Sequence, residues 1–457
     1  MHCRCSACRG WLDGCRGRST GLLERTSVTD HVGDQRLMRR ANHVDHEMML
    51  EHDRCVYVLG DVAERTGIVC FVVVALLNVL SLEDLTTVCM HCPSAQNEHE
   101  AKKHDGGQGA KHGCKDRTKN TTFSCSVFCS MRAIILDSDG LHLRDIPSPH
   151  CPPGYVRLRL HAAALNHRDQ FIREGKYAKI ELPAVLGSDG VGTVIEAPTS
   201  AHLIGTRMMI NPALEWGEDD RAQGPNFSVL GMPTQGTFAE EIVVPEQNVY
   251  PVPEHLTDEQ AAALPLAGLT GYRALITQGF WEPGQTVLIT GIGGGVASLT
   301  LAFAHALGAR VIVTSTSDAK LARAKDLGAT AGVNVRSDGW VKQVQALGPI
   351  DCIVDSVGGD TINDLTSIIR PGGRIVVYGA TLGHVPTFNM SKMFWKQIHL
   401  IGSTMGTPAD FEDMVQLVET ARIVPMVDSV FPLADAERAF DRMIAAEQFG
   451  KIVLRCN

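Results

Sequence analysis

One segment of the chain carries chemistry in its spacing: Thr290-Gly-Ile-Gly-Gly-Gly-Val-Ala297. It follows a β-branched run, Val287–Thr290, and opens an apolar stretch with helical composition. A glycine loop between a strand and a helix is a phosphate cradle. Gly291 permits the tight turn, and Gly294 lacks the Cβ that would hold a pyrophosphate away. Ala297 is small enough for the helix to pack on a sheet, while Gly293, Gly295 and Val296 complete the loop whose free N–H groups face the phosphates. The next strand ends Val313-Thr-Ser315. A site for NAD carries an Asp or Glu there, accepting from the ribose hydroxyls. Ser315 removes a carboxylate that would repel a 2′-phosphate, and Ser317 and Lys320 lie just beyond, ready to meet one. The expected cofactor is therefore NADPH.

Such a loop works only inside alternating strands and helices, and the chain supplies them. Thr257-Asp-Glu-Gln260 is a capping box ahead of an Ala/Leu-rich helix. After it the pattern reads strand Val287–Thr290, helix Val296–Leu307, strand Val311–Thr314, helix Asp318–Leu327 closed by Gly328, then strands Cys352–Val354, Arg374–Tyr378 and Ile398–Ile401. This alternation implies a parallel, doubly wound sheet. The preceding stretch is β-rich instead: Arg132–Leu136, the strictly alternating Val156–Leu160, Gly187–Ile195 and Thr237–Val244 are broken by Gly and Pro turns. The tail from Asp410 to Leu454 reads as helix, extended piece, helix from Asp435 and final strand.

Composition bounds the rest. The 457 residues are 44% hydrophobic and 20% charged, as in ordinary globular proteins, and the net charge of −9 argues against a nucleic-acid-binding body. Eleven of the 14 cysteines fall in residues 1–130, a stretch without helix or strand periodicity. Cys5/Cys8 and Cys89/Cys92 form Cys-x-x-Cys pairs, but they lie too far apart in sequence for a typical two-knuckle zinc site. The apolar run Ile68–Leu77 is shorter than the ~18–20 residues of a membrane span and too deep in the chain for an export signal. Residues 1–130 are expected to be a poorly structured extension, not part of the natural product in the stronger form of this reading, with Met131 as working start. The body is expected to be cytoplasmic, with no membrane or nucleic-acid partner.

Several motifs together resemble the medium-chain dehydrogenase/reductase superfamily: Asn166-His-Arg-Asp169, Leu186-Gly-Ser-Asp-Gly-Val-Gly192, Pro265-Leu-Ala-Gly-Leu-Thr-Gly271, Gly291 to Ala297, and Gly450-Lys-Ile-Val453. The resemblance covers about 131–457 and is nearest to the zinc-free, quinone-oxidoreductase-like branch, in a subgroup labelled zinc-type alcohol dehydrogenase-like. It implies an α/β fold in which a Rossmann-type doubly wound parallel sheet (256–406) is inserted in a GroES-like β-rich catalytic domain (131–255 plus 407–457). It also implies a homodimer built on the sheet edge near Ile398–Ile401, where unpaired strand groups invite pairing.

Zinc-dependent members of this family place a Cys-His-Cys set on the catalytic metal. Here those positions hold Asn166, Ser188 and Leu266, which are poor or impossible zinc ligands. Asp189 stands where zinc enzymes have a Glu near the metal. The structural zinc needs a four-cysteine loop, and residues 196–245 contain no cysteine. No metal is expected at either place. Without a Lewis acid, hydride transfer to an activated acceptor fits best: a quinone or an α,β-unsaturated ketone or aldehyde. The resemblance puts Asn166 and Asp169 along the nicotinamide cleft and Asp189 on its floor. Thr270, Gly379, the Ser403-Thr-Met405 turn and Lys451 fall near the cofactor. By chemistry, Tyr177 and His167 are candidate proton donors. The small-molecule substrate is not legible, although Asn211 to Leu230 are expected to shape its pocket. Two alternatives stay open: an alcohol dehydrogenase with an unrecognised metal site, and a non-catalytic NADPH-binding sensor or structural protein.

Overall fold

The computed structural model describes residues 130–456. The expected extension, its Cys-x-x-Cys pairs and the Ile68–Leu77 run lie outside the described residues. Among the described residues no helix is long and apolar enough to cross a membrane.

The chain first lays down short strands. They are β1 (Ser130–Asp137), β2 (Gly140–Pro147), β3 (Tyr155–Ala164), β4 (Ala184–Val185), β5 (Asp189–Glu196), β6 (Arg207–Ile210), β7 (Ala213–Leu214), β8 (Ser228–Val229), β9 (Glu241–Pro245) and β10 (Val249–Pro251), with helix α1 (His167–Arg173) after β3. The alternation in β3 does what its period predicts: Val156, Leu158 and Leu160 are wholly buried, and they join Phe238, Ile210 and Leu454 in one core. Gly187, two residues before β5, has φ 98°, and a Cβ there would lie 2.5 Å from the Phe238 ring. The Leu186–Gly192 motif is thus partly a packing requirement.

The chain then builds a second unit. Helices α2 (Asp258–Ala262) and α3 (Pro265–Tyr272) lead into β11 (Thr286–Ile289), α4 (Gly295–Ala306), β12 (Arg310–Ser315), α5 (Asp318–Asp326), β13 (Ala331–Asn334), α6 (Trp340–Ala346), β14 (Ile350–Asp355), α7 (Thr361–Ile368), β15 (Ile369–Val377), α8 (Met390–Trp395) and β16 (His399–Gly402). The six strands pair in parallel in the order β13-β12-β11-β14-β15-β16. The order reverses between β11 and β14, which is where a doubly wound sheet opens a crevice for ligands. The capping box forms as read: Gln260 N–H donates to Thr257 Oγ1 and Thr257 N–H to Gln260 Oε1.

The tail, α9 (Pro408–Thr420), β17 (Val427–Pro432), α10 (Ala436–Ile444) and β18 (Lys451–Arg455), returns to the first sheet. That sheet runs β10-β6-β5-β3-β18-β17, with β9 also on β3. One boundary shifts. The sequence pattern makes 407–457 a single catalytic piece, but α9 packs on α3, where a Cβ on Gly268 would meet Met414 Sδ at 2.6 Å. Phe411, Met414 and Val418 therefore share the core of the nucleotide unit. Five elements between Leu327 and Ile398 had no assignment in sequence: β13, α6, α7, α8 and the first half of β15. They are short and lack clean periodicity.

Candidate active site

The glycine loop lies at the switch point. Gly294 caps α4 in an extended conformation, and a Cβ placed on it meets nothing within 4 Å, so its helix end is open to a ligand. Its neighbours are crowded by lysine stems: a Cβ on Gly293 would lie 2.7 Å from Lys320 Cδ, and one on Gly295 2.5 Å from Lys451 Cδ. Gly450 N–H donates to Gly293 O at 3.0 Å, so the tail strand is stitched to the loop. Asp355, at the end of β14, is wholly buried. It accepts from Thr290 Oγ1 at 2.6 Å and from Gly358 N–H at 3.0 Å, tying the loop to the turn beyond β14. Sequence reasoning passed over Asp355; the signal was a carboxylate at a strand end followed by Gly358-Gly359.

At the end of β12, Ser315 is buried and its Oγ accepts from Ser317 N–H. Ser317 caps α5 by accepting from Lys320 N–H. Lys320 does not point free: its Nζ donates to Ala446 O at 2.8 Å, bridging to the tail. Open helix-start N–H groups, a β12 end without acid and two nearby lysines together suit a nicotinamide dinucleotide.

The second cluster is a buried polar centre. Lys451 Nζ donates to Asn166 Oδ1 at 2.6 Å and to Asp189 Oδ2 at 2.8 Å. Asn166 Nδ2 also donates to Asp189 Oδ2, at 2.9 Å. The remaining Asp189 oxygen accepts from the Leu266 backbone N–H at 2.7 Å. All four belong to motifs singled out in sequence, and β3, β5, α3 and β18 bring them together. Ser188 is engaged elsewhere: it donates to Leu230 O and accepts from Arg168 Nη1 at 2.7 Å.

Other expected residues fall differently. Asp169 does not line a cleft. It is wholly buried, accepts from Asn166 N–H at 2.8 Å, and leaves its other oxygen without a partner. Burial pushes its carboxyl up to about 6, against the opposing pull of Arg168. A folded-state value above the unfolded one means stability is fully present below pH ~4 and is lost as pH rises through 6. The Asp169→Asn variant is expected to lack this loss, of about 2–3 kcal/mol between pH 4 and 8, in urea melts across that range. Parallel pH curves for the two proteins would refute the assignment.

His167 is exposed at the start of α1. Protein packed around it, though it stays exposed, and then the positive charges of Lys451 and Lys320 lower its imidazole below the usual range. Tyr177 stacks on the Arg168 guanidinium, whose carbon lies 5.0 Å from the ring centre, and its hydroxyl accepts from Arg168 Nε at 3.4 Å. Thr270 turns its hydroxyl back to Leu266 O at 2.8 Å, so it does not face a cofactor with a free donor. Gly379 backs closely onto Ser356 O, while Ser403 keeps a buried hydroxyl without a partner. Arg168 was not singled out in sequence as a site residue. It donates to Ser188, to Leu230 O at 2.7 Å and to Met232 O at 3.3 Å, clamping one wall of the expected pocket.

A doubly wound sheet with a glycine loop, closed against a β-rich domain over a buried polar centre, defines an NAD(P)-dependent oxidoreductase. Residues 152–254 match the model of the alcohol dehydrogenase GroES-like domain, and residues 295–420 that of the zinc-binding dehydrogenase. The chain belongs to the medium-chain dehydrogenase/reductase superfamily. It is similar to the zinc-type alcohol dehydrogenase-like protein YogA of Leptosphaeria maculans, 37% identical over 69% of this chain and 94% of that one. It is also similar to an acryloyl-coenzyme A reductase of Sulfurisphaera tokodaii, 25% identical over 71% of this chain and 100% of the relative. Among solved structures, an NAD-dependent alcohol dehydrogenase superposes with a TM-score of 0.68 at 35% identity, over 72% of this chain and 100% of that one.

Two of these names carry zinc, and the side chains present offer it few donors. Asn166 is committed to Lys451 and Asp189, Ser188 to Leu230 and Arg168, and Leu266 offers only a backbone N–H. Among the described residues no three His, Cys, Asp or Glu side chains are grouped to hold a metal. The donor set does not fit zinc.

Proposed function

We propose that the protein uses NADPH to reduce an activated acceptor, a quinone or an α,β-unsaturated ketone or aldehyde, without a catalytic metal. One observation carries this reading: Asn166, which stands where the resemblance puts a zinc ligand, is taken up in a hydrogen-bonded network with the Lys451 ammonium and the Asp189 carboxylate. An acceptor that is already electron-poor needs position and hydrogen bonds more than a Lewis acid. The likeness to an acryloyl-coenzyme A reductase, whose name describes an unsaturated substrate, supports the same class. The bound dihydronicotinamide supplies the hydride. Gly294, Gly295 and Val296 present N–H groups to the pyrophosphate, and Ser315, Ser317 and Lys320 meet the 2′-phosphate once Lys320 exchanges Ala446 O for it. Closure of the two units excludes water.

The test is NADPH consumption over quinones, enones, aldehydes and alcohols, alongside elemental analysis. Turnover of alcohols with stoichiometric zinc would establish the metal-dependent reading instead. Cofactor binding without any turnover would establish a sensor.

A homodimer through β16 is part of this proposal. β16 is the free edge of the parallel sheet, and exposed apolar side chains gather beside it: Leu400, with Met390, Phe394 and Trp395 of α8. Exposed apolar patches of this kind mark interfaces. Leu400→Glu is expected to halve the mass seen by light scattering. A wild-type monomer, or an unchanged dimer in the variant, would defeat the assignment.

A further inference from the structure

Beside the free edge of the parallel sheet lies a cavity of about 440 Å³, whose lining includes Val377, Ala380, Val385, Phe388, Leu400 and Gly402. We infer that Trp395 of a second copy of this chain fills the cavity, keying the dimer and bracing the turns behind the glycine loop. This rests on the β16 homodimer proposed above.

Symmetry supplies the placement. The cavity lies at the carboxyl ends of β15 and β16, whose last residues are Val377 and Gly402. Trp395 ends α8 and lies at the other end of the strands. The next residue, Lys396, accepts through its carbonyl from Gly372 N–H at 2.7 Å, just before Arg374 pairs with His399. Edge strands paired antiparallel about a two-fold axis run in opposite directions, so the amino end of one meets the carboxyl end of the other. An axis through the middle of β16 sets the partner's His399 beside Gly402, where a Cβ would meet nothing within 4 Å. Such an axis stands normal to the sheet and keeps each face on its own side. Met393 of α8 and Phe388 of the cavity pack against the same core, with Ile353, Ile362 and Ile375, so both lie on one face. The partner's Trp395 therefore arrives at the cavity.

The chemistry selects the occupant. Trp395 is 83% exposed, and Leu382, Met390, Phe394 and Leu400 on the same edge are 40–65% exposed. Together they offer on the order of 600 Å² per copy, so a pair buries about 1,200 Å² before the strands are counted, enough for a stable interface. The lysines of this edge are turned inward. Lys392 Nζ donates to Ser367 Oγ, and Lys396 Nζ to the carbonyls of Thr366, Ser367 and Ile369 at the end of α7. An anionic membrane or an acidic partner would need those ammonium groups facing out. A second apolar copy does not. A cavity of this size takes an indole readily, and a helix pinned from within presents one at little ordering cost.

The cavity wall also supports the cofactor loop. The turns after β14 and β15 are stitched together: Thr381 N–H donates to Ser356 O at 3.2 Å, Leu382 N–H to Val357 O at 2.9 Å and Gly359 N–H to Gly383 O at 3.1 Å. Gly358 and Ala380 of these turns line the cavity. Ser356 and Val357 face the glycine loop, 3.3 and 3.4 Å from where a Cβ on Gly291 would stand. An indole in the cavity thus holds the layer on which the glycine loop rests. Dimerisation and NADPH binding are coupled through it, and each strengthens the other by the same factor.

The test uses the full chain and needs no acceptor. W395A is expected to weaken the dimer at least ~30-fold in analytical ultracentrifugation, the scale of a central interface tryptophan. W395F keeps an aromatic knob and is expected to stay within about fivefold of wild type. V385W fills the cavity from within its own chain and weakens the dimer; in V385W/W395A the clash is gone, and association recovers at least ~10-fold over V385W. Fluorescence titration across the dissociation range is expected to show the dimer binding NADPH ~10-fold more tightly than the monomer. A wild-type monomer overturns the homodimer and this inference with it. A wild-type dimer that W395A leaves within about threefold, or single effects that simply multiply in the double variant, keeps the homodimer and overturns the role of Trp395. Equal NADPH affinity in monomer and dimer overturns the bracing.

Discussion

Replacing Arg273 by methionine is expected to destabilise the protein by about 3–5 kcal/mol, because it strips a buried carboxylate of its cation. Arg273 is 2% exposed and lies in the π-helical turn after α3. Its Nη1 donates to Asp410 Oδ2 at 2.6 Å, and its Nη2 donates to Asp220 O at 2.7 Å and Arg221 O at 3.2 Å. The guanidinium carbon lies 4.8 Å from the centre of the Trp216 ring. One side chain therefore joins the nucleotide unit, the loop expected to shape the substrate pocket, and α9. Asp410 keeps Thr277 Oγ1 and Thr407 N–H as donors, which is too little to offset a buried charge. The measurement is urea denaturation of R273M, D410N and the double variant. If the interaction is real, the double variant recovers part of the loss in R273M, since no unpaired carboxylate remains. A loss below about 1 kcal/mol in R273M would contradict the account.

The second large effect is on cofactor choice. Ser315→Asp is expected to weaken NADPH binding by ~10²-fold while changing NADH binding little, since two negative charges would face each other at the end of β12. The contrast arises because Ser315 ends the strand with a hydroxyl already turned toward Ser317 N–H, and the next side chains are Thr316, Ser317 and Asp318, the last of which accepts from Asn334 Nδ2 instead. Fluorescence titration of both cofactors against both proteins is sufficient. An unchanged NADPH/NADH ratio would remove the 2′-phosphate from the site as proposed.

The parts of this fold that were legible in sequence are those decided locally. The loop from Gly291 to Ala297 announces itself because a tight turn, an open helix start and close packing each demand a small residue at a fixed offset. The box at Thr257 and Gln260 closes within one turn of helix, and the alternation of Val156, Leu158 and Leu160 is visible because one face of β3 is buried. What escaped depends on partners far along the chain. Arg273 meets Asp410 137 positions away, and Lys451 meets Asn166 285 positions away. Thr270 and Lys320 show the reverse limit. Each was expected to face a ligand, yet each finds a carbonyl in this fold, one local and one across the units. Position was readable there; orientation was not.

The place of β18 between β3 and β17 has a consequence for biosynthesis. At about 5–20 residues per second, the ribosome needs about 15–60 s after finishing β3 to reach β18. Throughout that time the end of β3, Ala162–Ala164, has one side unpaired, although β9 already covers Tyr155–Arg159 on that side, while the whole nucleotide unit emerges and can fold on its own short-range contacts. A nascent chain is thus an open sheet edge attached to a finished domain, the arrangement most exposed to mispairing. The order of synthesis makes Lys451 one of the last parts fitted. Chaperone demand should accordingly fall on the β-rich half of the molecule, and ribosome stalling between α9 and β18 should leave chains that retain the glycine loop but lack a reaction centre.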